Sequence, residues 1–91
     1  MARVIITFRI MPESTETDLS SVENKANEAI TAFGGEPGKT EIEPIAFGLK
    51  ALKIFFILDE KKGSTEELEK NINSIDGVES CEVIDVRRTV G

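Results

Sequence analysis

The amino-acid sequence predicts an α+β domain, in which a four-stranded antiparallel sheet carries two helices on one face. Three observations lead to this fold class: an opening segment with strict apolar alternation, two segments with helical spacing of apolar residues, and one strand that is apolar on both sides. A period of two indicates a strand and a period of 3.6 a helix. The 91 residues suffice for one domain with a modest core, so residues 1–91 are treated as a single domain.

The chain opens with a predicted strand and helix. Arg3 to Met11 alternate between apolar and polar side chains, and Pro12 ends this strand because proline lacks a backbone donor. Residues 18–33 carry apolar side chains at helical spacing, which predicts the first helix. Thr17 or Asp18 is expected to cap its start, and the Gly-Gly pair that follows it is expected to end it.

Two strands are predicted next, and they differ in character. Lys39 to Ile45 is short and polar, and its glutamates and Pro44 are typical of a sheet edge. Leu49 to Glu60 is the most apolar segment, and its two apolar sides predict a central strand with contacts above and below the sheet.

The last part of the chain predicts a second helix and a final strand. Ser64 to Glu67 is interpreted as a capping box that starts the helix, and Gly77 is expected to end it. The final strand spans Val78 to Val90. Its apolar parity changes between Val83 and Ile84, which predicts a β-bulge or burial on both faces.

The resulting order, β-α-β-β-α-β, predicts a ferredoxin-like sandwich with right-handed crossovers. The first and third strands are then central, and both helices cover the same face. The other face is expected to present an apolar patch, because the third strand is apolar on that side as well. Such a patch is either a binding surface or is covered by loops or by a second copy of the chain.

Composition argues against several classes of function. A net charge of −6 argues against nucleic-acid binding, which needs clustered Lys and Arg. The chain has no His, which lowers the expectation of an enzyme or of a metal site. No apolar run is long enough to span a membrane. Cys81 is the single cysteine, so no intrachain disulfide forms, and a cytoplasmic location is expected.

Phe47 is the residue on which the functional interpretation depends. It lies in the segment Glu43 to Leu52, between Pro44, which interrupts strand pairing, and Gly48, which permits a sharp bend. Two interpretations are open: Phe47 folds back into the core at a β-bend, or the corner presents it outward. Spacing alone favours the first.

Other candidates for chemistry have simpler interpretations. The glycine-rich segment after the first helix lacks the Lys-Ser/Thr of a phosphate-binding loop and is interpreted as a helix cap and turn. Glu41 and Glu43 are too few ligands for a metal and indicate a solvated edge. Arg87 and Arg88 are adjacent on a strand and therefore point to opposite faces. One is expected to pair with carboxylates and the other is within reach of a partner, but the residues alone favour a surface salt bridge.

Three segments resemble the elongation factor 1-beta family of guanine-nucleotide exchange factors, in particular its archaeal members. They are Met11-Pro12-Glu13-Ser14, the stretch Glu43 to Leu52, and Asp85-Val86-Arg87-Arg88. The resemblance covers nearly the whole chain. It implies a non-enzymatic domain that docks on the GTPase elongation factor 1-alpha, without a cofactor, and promotes GDP release and GTP reloading during translation elongation.

The resemblance also implies roles for particular residues. The aromatic of the family's Pro-Ile-x-(Phe/Tyr)-Gly corner inserts into the partner, and it corresponds here to Phe47, with Pro44, Ile45, Ala46 and Gly48 around it. Eukaryotic relatives carry a lysine near the C-terminus that disturbs the magnesium site of the GTPase. This chain ends in Arg-Thr-Val-Gly instead. The hypothesis is that Arg87 or Arg88 takes the place of this lysine.

Rival functions come from other classes. Many βαββαβ domains are regulatory modules of the ACT type, which bind small molecules between subunits, so such a module would dimerise, whereas we expect a monomer. An RNA-recognition domain is disfavoured by the charge and by the lack of paired sheet aromatics. The fold alone does not separate these functions.

Overall fold

In a computed structural model, which describes residues 3–62 and 64–89, the chain forms four strands and two α-helices in the expected order. The strands are β1 (Arg3–Pro12), β2 (Glu36–Pro44), β3 (Lys50–Asp59) and β4 (Val78–Thr89). The helices are α1 (Leu19–Phe33) and α2 (Glu66–Asn73), and a 3₁₀ turn (Glu60–Lys62) follows β3. All strand pairs are antiparallel and the order across the sheet is β2-β3-β1-β4. The ferredoxin-like prediction, with its first and third strands in the centre, is confirmed.

The core lies between the two helices and one face of the sheet. On β1 and β3 the even-numbered side chains point into it, and Phe8 and Phe56 meet edge to face with ring centroids 4.8 Å apart. Val22, Ala26 and Ile30 of α1 are buried against this layer. Apolar burial of this kind is the main favourable term in folding, so both helices are held to one face, and the opposite face lacks helical cover.

Two local predictions for α1 are confirmed. The Asp18 side chain accepts hydrogen bonds from the backbone N–H groups of Ser20 and Ser21, at 3.1 and 3.3 Å. Gly34 adopts the left-handed conformation at φ 103°, which lets the chain leave the helix without a Cβ clash.

The capping box predicted for α2 is wrong. The helix begins at Glu66, Ser64 Oγ accepts from the Glu66 N–H at 3.1 Å, and Thr65 Oγ1 donates to Glu69 at 3.1 Å. The N-cap residue is therefore Thr65, one residue later than the pattern suggested, and its side chain makes no capping hydrogen bond to the helix backbone. The helix also ends at Asn73, and Gly77, at φ 95°, shapes the turn that leads into β4.

β2 begins three residues earlier than predicted, because the segment interpreted as a turn is strand. Pro37 pairs with Phe56 at the sheet edge, where a missing backbone donor is tolerated. At Gly38, a Cβ would lie 2.9 Å from the Phe55 carbonyl oxygen, so only glycine allows this close approach. In β4, the register shifts opposite Thr7 and Phe8, so that Ile84 is the extra residue. The parity change in the sequence therefore marks a β-bulge, as predicted.

Candidate functional site: the corner between β2 and β3

The corner between β2 and β3 holds Phe47 almost entirely in solvent. The Leu49 N–H donates to the Ala46 carbonyl at 2.9 Å, and the Ile45 N–H donates to the Leu49 carbonyl at 2.8 Å. Between these bonds, Phe47 and Gly48 have φ values of 54° and 80°, the sign that a type I′ turn has at both central residues. The Phe47 side chain is 98% exposed. The interpretation in which Phe47 folds back into the core is therefore wrong.

This arrangement is unfavourable for the isolated chain in two ways. A bulky L-residue in the left-handed region costs roughly 1–2 kcal/mol. A phenylalanine left in water also forgoes about 1.5–3 kcal/mol of burial. Among the residues that the structure describes, Phe47 is the one non-glycine residue with a positive φ. Backbone strain that coincides with an exposed aromatic is characteristic of binding sites.

The residues around Phe47 form the base of the corner. Pro44 is the last residue of β2 and pairs with Lys50, the first residue of β3. Ile45 is 43% exposed. The corner also holds a shallow recess of about 110 Å³, and its lining is Pro44, Ile45, Ala46, Gly48, Leu49 and Lys50. The structure thus brings together all five corner residues that the sequence analysis named.

The corner also touches the loop between β1 and α1. A Cβ on Gly48 would lie 3.5 Å from Thr15 Cγ2, an ordinary contact, so glycine is favoured there by its φ of 80° rather than by space. Between this loop and the corner lies a second recess of about 350 Å³, which Thr15, Asp18 and Lys50 help to line.

Arg87 and Arg88 lie at the other end of the sheet. Arg88 pairs with Val4, which in turn pairs with Leu58 of β3. Leu58 lies eight residues along β3 from Lys50 at the corner, which corresponds to a distance of roughly 25 Å in a strand. Arg87 Nε donates to Asp85 at 2.9 Å, and Arg88 forms an ion pair with Glu60. The two arginines point to opposite faces, as predicted, but the structure does not bring them to the corner.

The open face of the sheet is not the apolar patch that the sequence predicted. Four charged residues lie in register across all four strands: Glu41, Lys53, Arg9 and Glu82. Arg9 Nη2 lies 2.7 Å from Glu82 Oε1, and this hydrogen bond is the main reason that the pKa of Arg9 is raised above its usual value.

Small residues on the open face are fully covered. Thr7 and Ala51 are only 2% and 0% exposed. Phe55 is half-buried, with the ammonium groups of Lys39 and Lys53 at 5.1 and 6.0 Å from its ring centroid. Long charged side chains bury their stems along apolar surface while the charge stays in water. The sequence pattern correctly placed apolar residues on this face, but it did not show that long charged side chains cover them.

One exposed aliphatic residue was missed by the sequence analysis. Ile42 of β2 is 57% exposed, although its cross-strand partner Leu52 is buried in the core. The available signal was a single large apolar residue among the polar residues of an edge strand.

Two further features of the described residues bear on metal binding and thiol reactivity. Within residues 3–62 and 64–89, no group of three or more Cys, Asp or Glu side chains is placed to hold a metal ion. Burial raises the pKa of the Cys81 thiol to about 12, with smaller contributions from Glu69 and Glu82, so the thiolate is scarce at neutral pH. No helix in the described part of the chain is long and apolar enough to cross a membrane.

The chain matches a known family over nearly its whole length. Residues 5–89 match the family model of the EF-1 guanine nucleotide exchange domain. Elongation factor 1-beta of Methanothermobacter thermautotrophicus is 41% identical over 88 residues, which cover 97% of this chain and 98% of the relative. Elongation factor 1-beta of Staphylothermus marinus is 39% identical over 89 residues, covering 97% of this chain and 98% of that one.

Solved structures with little sequence similarity share the fold. The ACT domain from GTP pyrophosphokinase of Chlorobium tepidum superposes with a TM-score of 0.59 at 15% identity, over 88% of this chain and 96% of that one. The C-terminal domain of the MgtC protein from Mycobacterium tuberculosis gives a TM-score of 0.64 at 12% identity, over 90% of this chain and 85% of that one. At such identities the likeness concerns the fold alone.

Proposed function

This chain belongs to the EF-1 guanine nucleotide exchange domain family, and from that premise we propose that it promotes GDP release and GTP reloading on elongation factor 1-alpha. The observation that carries the proposal is Phe47, 98% exposed on a turn that holds it at φ 54°. An aromatic presented in this way fits a pocket on a partner protein, because buried aromatic anchors dominate the energetics of many interfaces.

The mechanism is thermodynamic linkage. An exchange factor accelerates release when it binds the nucleotide-free GTPase more tightly than the GDP-bound form, and the coupling is reciprocal. A thousandfold acceleration corresponds to about 4 kcal/mol of differential stabilisation. One buried aromatic anchor supplies about 2–4 kcal/mol. Insertion of Phe47 therefore accounts for a large share of the effect, provided that its pocket is open only when GDP has left.

The turn prepares Phe47 for this role. Its conformation is already set by the hydrogen bonds of Ile45 and Leu49, so little entropy is lost when the ring is buried. In the proposal, Pro44, Ala46 and Gly48 shape the base of the corner, and Ile45 packs against the partner beside the ring.

Arg87 and Arg88 are proposed as a second contact on the same GTPase. They lie roughly 25 Å from the corner along the strands, so the two contacts reach different regions of the partner. Both arginines form exposed ion pairs, with side chains 78% and 69% exposed. Exposed pairs contribute only about 0–1 kcal/mol, so either arginine is free to exchange its carboxylate for an acidic group on the partner.

In this proposal the chain is a binding protein without a reaction of its own, and it acts as a monomer in the cytoplasm beside the translating ribosome. The likeness to an ACT domain concerns the fold alone, so it carries no argument for a small-molecule site.

The experiment compares Phe47→Ala with the wild-type chain in a mant-GDP release assay on elongation factor 1-alpha. We expect stimulation to fall by about a hundredfold, the effect of losing an anchor worth 2–4 kcal/mol. Phe47→Tyr, which retains the ring, is the matched control and should keep most of the activity. Circular dichroism melting should confirm that both variants fold. Undiminished stimulation by a folded Phe47→Ala variant would contradict the proposal.

A further inference from the structure

The outer edge of β2 carries exposed apolar side chains that continue from the corner. Among the described residues, five large hydrophobic side chains are exposed: Ile42, Ile45, Phe47, Ile84 and Val86. Three of them fall within six consecutive residues, and we call Ile42, Ile45 and Phe47 the apolar stripe. Apolar side chains are costly on the edge strand of a monomer, because such an edge invites pairing with other chains.

Ile42 is exposed because of its place in the sheet. Cross-strand partners share a face, so Ile42 points to the same side as Leu52, which is 1% exposed in the core. β2 is the outermost strand, and the 57% exposure of Ile42 shows that the helix layer does not cover it fully. The side chain therefore starts at the margin of the core and extends beyond it.

From this arrangement we infer that the docking surface for the GTPase continues from the corner along the outer edge of β2, with Ile42 as a second apolar contact. The inference rests on the proposed function. A single exposed ring gives affinity but little orientation, whereas a stripe that runs along an edge also fixes the direction in which the partner lies.

The charges on β2 indicate the chemistry of the partner surface. Glu41 and Glu43 flank Ile42 and lie on the opposite face of the same strand. Glu41 pairs with Lys39 at 3.1 Å, whereas Glu43 Oε1 is buried and has no hydrogen-bond partner in the described part of the chain. The nearest cation is Arg9, with Nη1 at 3.8 Å, beyond hydrogen-bond range.

A partner that straddles the edge of β2 meets apolar side chains on one face and carboxylates on the other. The surface that fits is an apolar patch bordered by Lys, Arg or backbone N–H donors, which approach the exposed parts of Glu41 and Glu43, whose side chains are 46% and 39% exposed. The unpaired backbone groups of the outer strand are available to the same partner.

The experiment uses a matched pair of substitutions on the two edges of the sheet. Ile42 and Val86 are 57% and 58% exposed, and each lies opposite a buried core residue, Leu52 and Ile6 respectively. Ile42→Thr and Val86→Thr both keep a β-branched side chain suited to a strand. Circular dichroism melting should show that both variants fold like the wild type.

Two readouts are measured with elongation factor 1-alpha: the dissociation constant by fluorescence anisotropy of the labelled full chain, and the stimulated rate of mant-GDP release. We expect Ile42→Thr to weaken binding about tenfold, equivalent to about 1.4 kcal/mol. It should raise the half-saturating concentration by the same factor and leave the maximal rate unchanged. Val86→Thr, which lies beside the proposed second contact at Arg87 and Arg88, should weaken binding clearly less than Ile42→Thr does and should also leave the maximal rate unchanged.

The outcomes separate the two proposals. Equal affinities for Ile42→Thr and wild type, or equal losses for both variants, overturn the inference. A wild-type chain that binds but does not accelerate release overturns the proposed function, while the affinity comparison still decides the inference. If nothing binds, both are overturned. Sedimentation of the free chain as a dimer that Ile42→Thr dissociates would instead assign the stripe to a second copy.

Discussion

The corner between β2 and β3 and the open face of the sheet differ in the solvent exposure of their aromatic residues. Phe47 at the corner is 98% exposed and stands alone at the tip of a turn. Phe55 on the open face is half-buried between Lys39 and Lys53. The sequence marked both regions as possible binding surfaces, and only the corner leaves its apolar side chains uncovered. Whether an apolar residue is available for binding therefore depends on whether neighbouring side chains are long enough to cover it.

The physical reason is the density of neighbours. In a sheet, directly opposed side chains have Cβ atoms about 4.5–5.5 Å apart, so a long charged side chain covers the residues beside it. The row of Glu41, Lys53, Arg9 and Glu82 does this across the open face. At the tip of a turn no strand lies alongside, and the left-handed backbone of Phe47 and Gly48 directs the ring away from the body of the protein.

The largest predicted contrast is in thiol reactivity. At pH 8 an exposed thiol introduced at the corner by Phe47→Cys should titrate near its usual pKa of about 8.5. The pKa of Cys81 is raised to about 12 by burial, so its thiolate is roughly a thousandfold scarcer. Ellman's reagent should react with the Phe47→Cys variant in one fast phase, whereas the wild type reacts slowly. A fast stoichiometric reaction of the wild-type protein would mean that the core opens as readily as the corner.

The same thiol predicts how stability depends on pH. The pKa of Cys81 is about 12 in the folded chain and about 8.5 in the unfolded chain, so above pH 9 the unfolded state binds fewer protons. Stability is fully retained below pH 8.5 and falls by up to about 1.4 kcal/mol per pH unit as the pH rises toward 12. Urea titrations at pH 8 and pH 10 measure this loss. Cys81→Ala, which has no thiol, is the control, and its unfolding free energy should lack this decrease between pH 8 and pH 10.

Phe55→Ala tests the other side of the comparison. Removing a buried phenylalanine costs about 3–5 kcal/mol, so a half-buried one should cost about 1–2 kcal/mol of unfolding free energy. Stimulated nucleotide release should be unchanged, because the Phe55 ring packs within the sheet surface and does not contact the partner. The measurements are a urea titration and the mant-GDP assay, and the expected pattern is the reverse of that for Phe47→Ala. Lost stimulation without lost stability would place the docking surface on the open face after all.

The fold could be predicted from the sequence because its signals are local and periodic. The alternation of β1, the helix stop at Gly34 and the parity change at Ile84 each have a direct counterpart in the structure. The corner residues were identified by their chain neighbours, Pro44 and Gly48. The resemblance implied an outward Phe47, but the spacing of residues did not, because its exposure depends on a φ of 54° that the apolar pattern does not encode. The separation of the arginines from the corner depends on strand register, which only the folded sheet defines.

The smallest predicted effect isolates the backbone strain at the corner. Phe47→Ala and Phe47→Gly both remove the ring, but alanine keeps the cost of a positive φ and glycine does not. That cost is roughly 1–2 kcal/mol. Part of it is offset, because glycine gives the unfolded chain about 0.4–1 kcal/mol more entropy to lose. Phe47→Gly should therefore be more stable than Phe47→Ala by about 0.5–1 kcal/mol, seen as a Tm higher by a few degrees in a domain of this size. Since neither variant has a ring, both should be equally poor in nucleotide release. If alanine proves as stable as glycine, the turn holds Phe47 outward without strain, and its exposure alone distinguishes the corner from the open face.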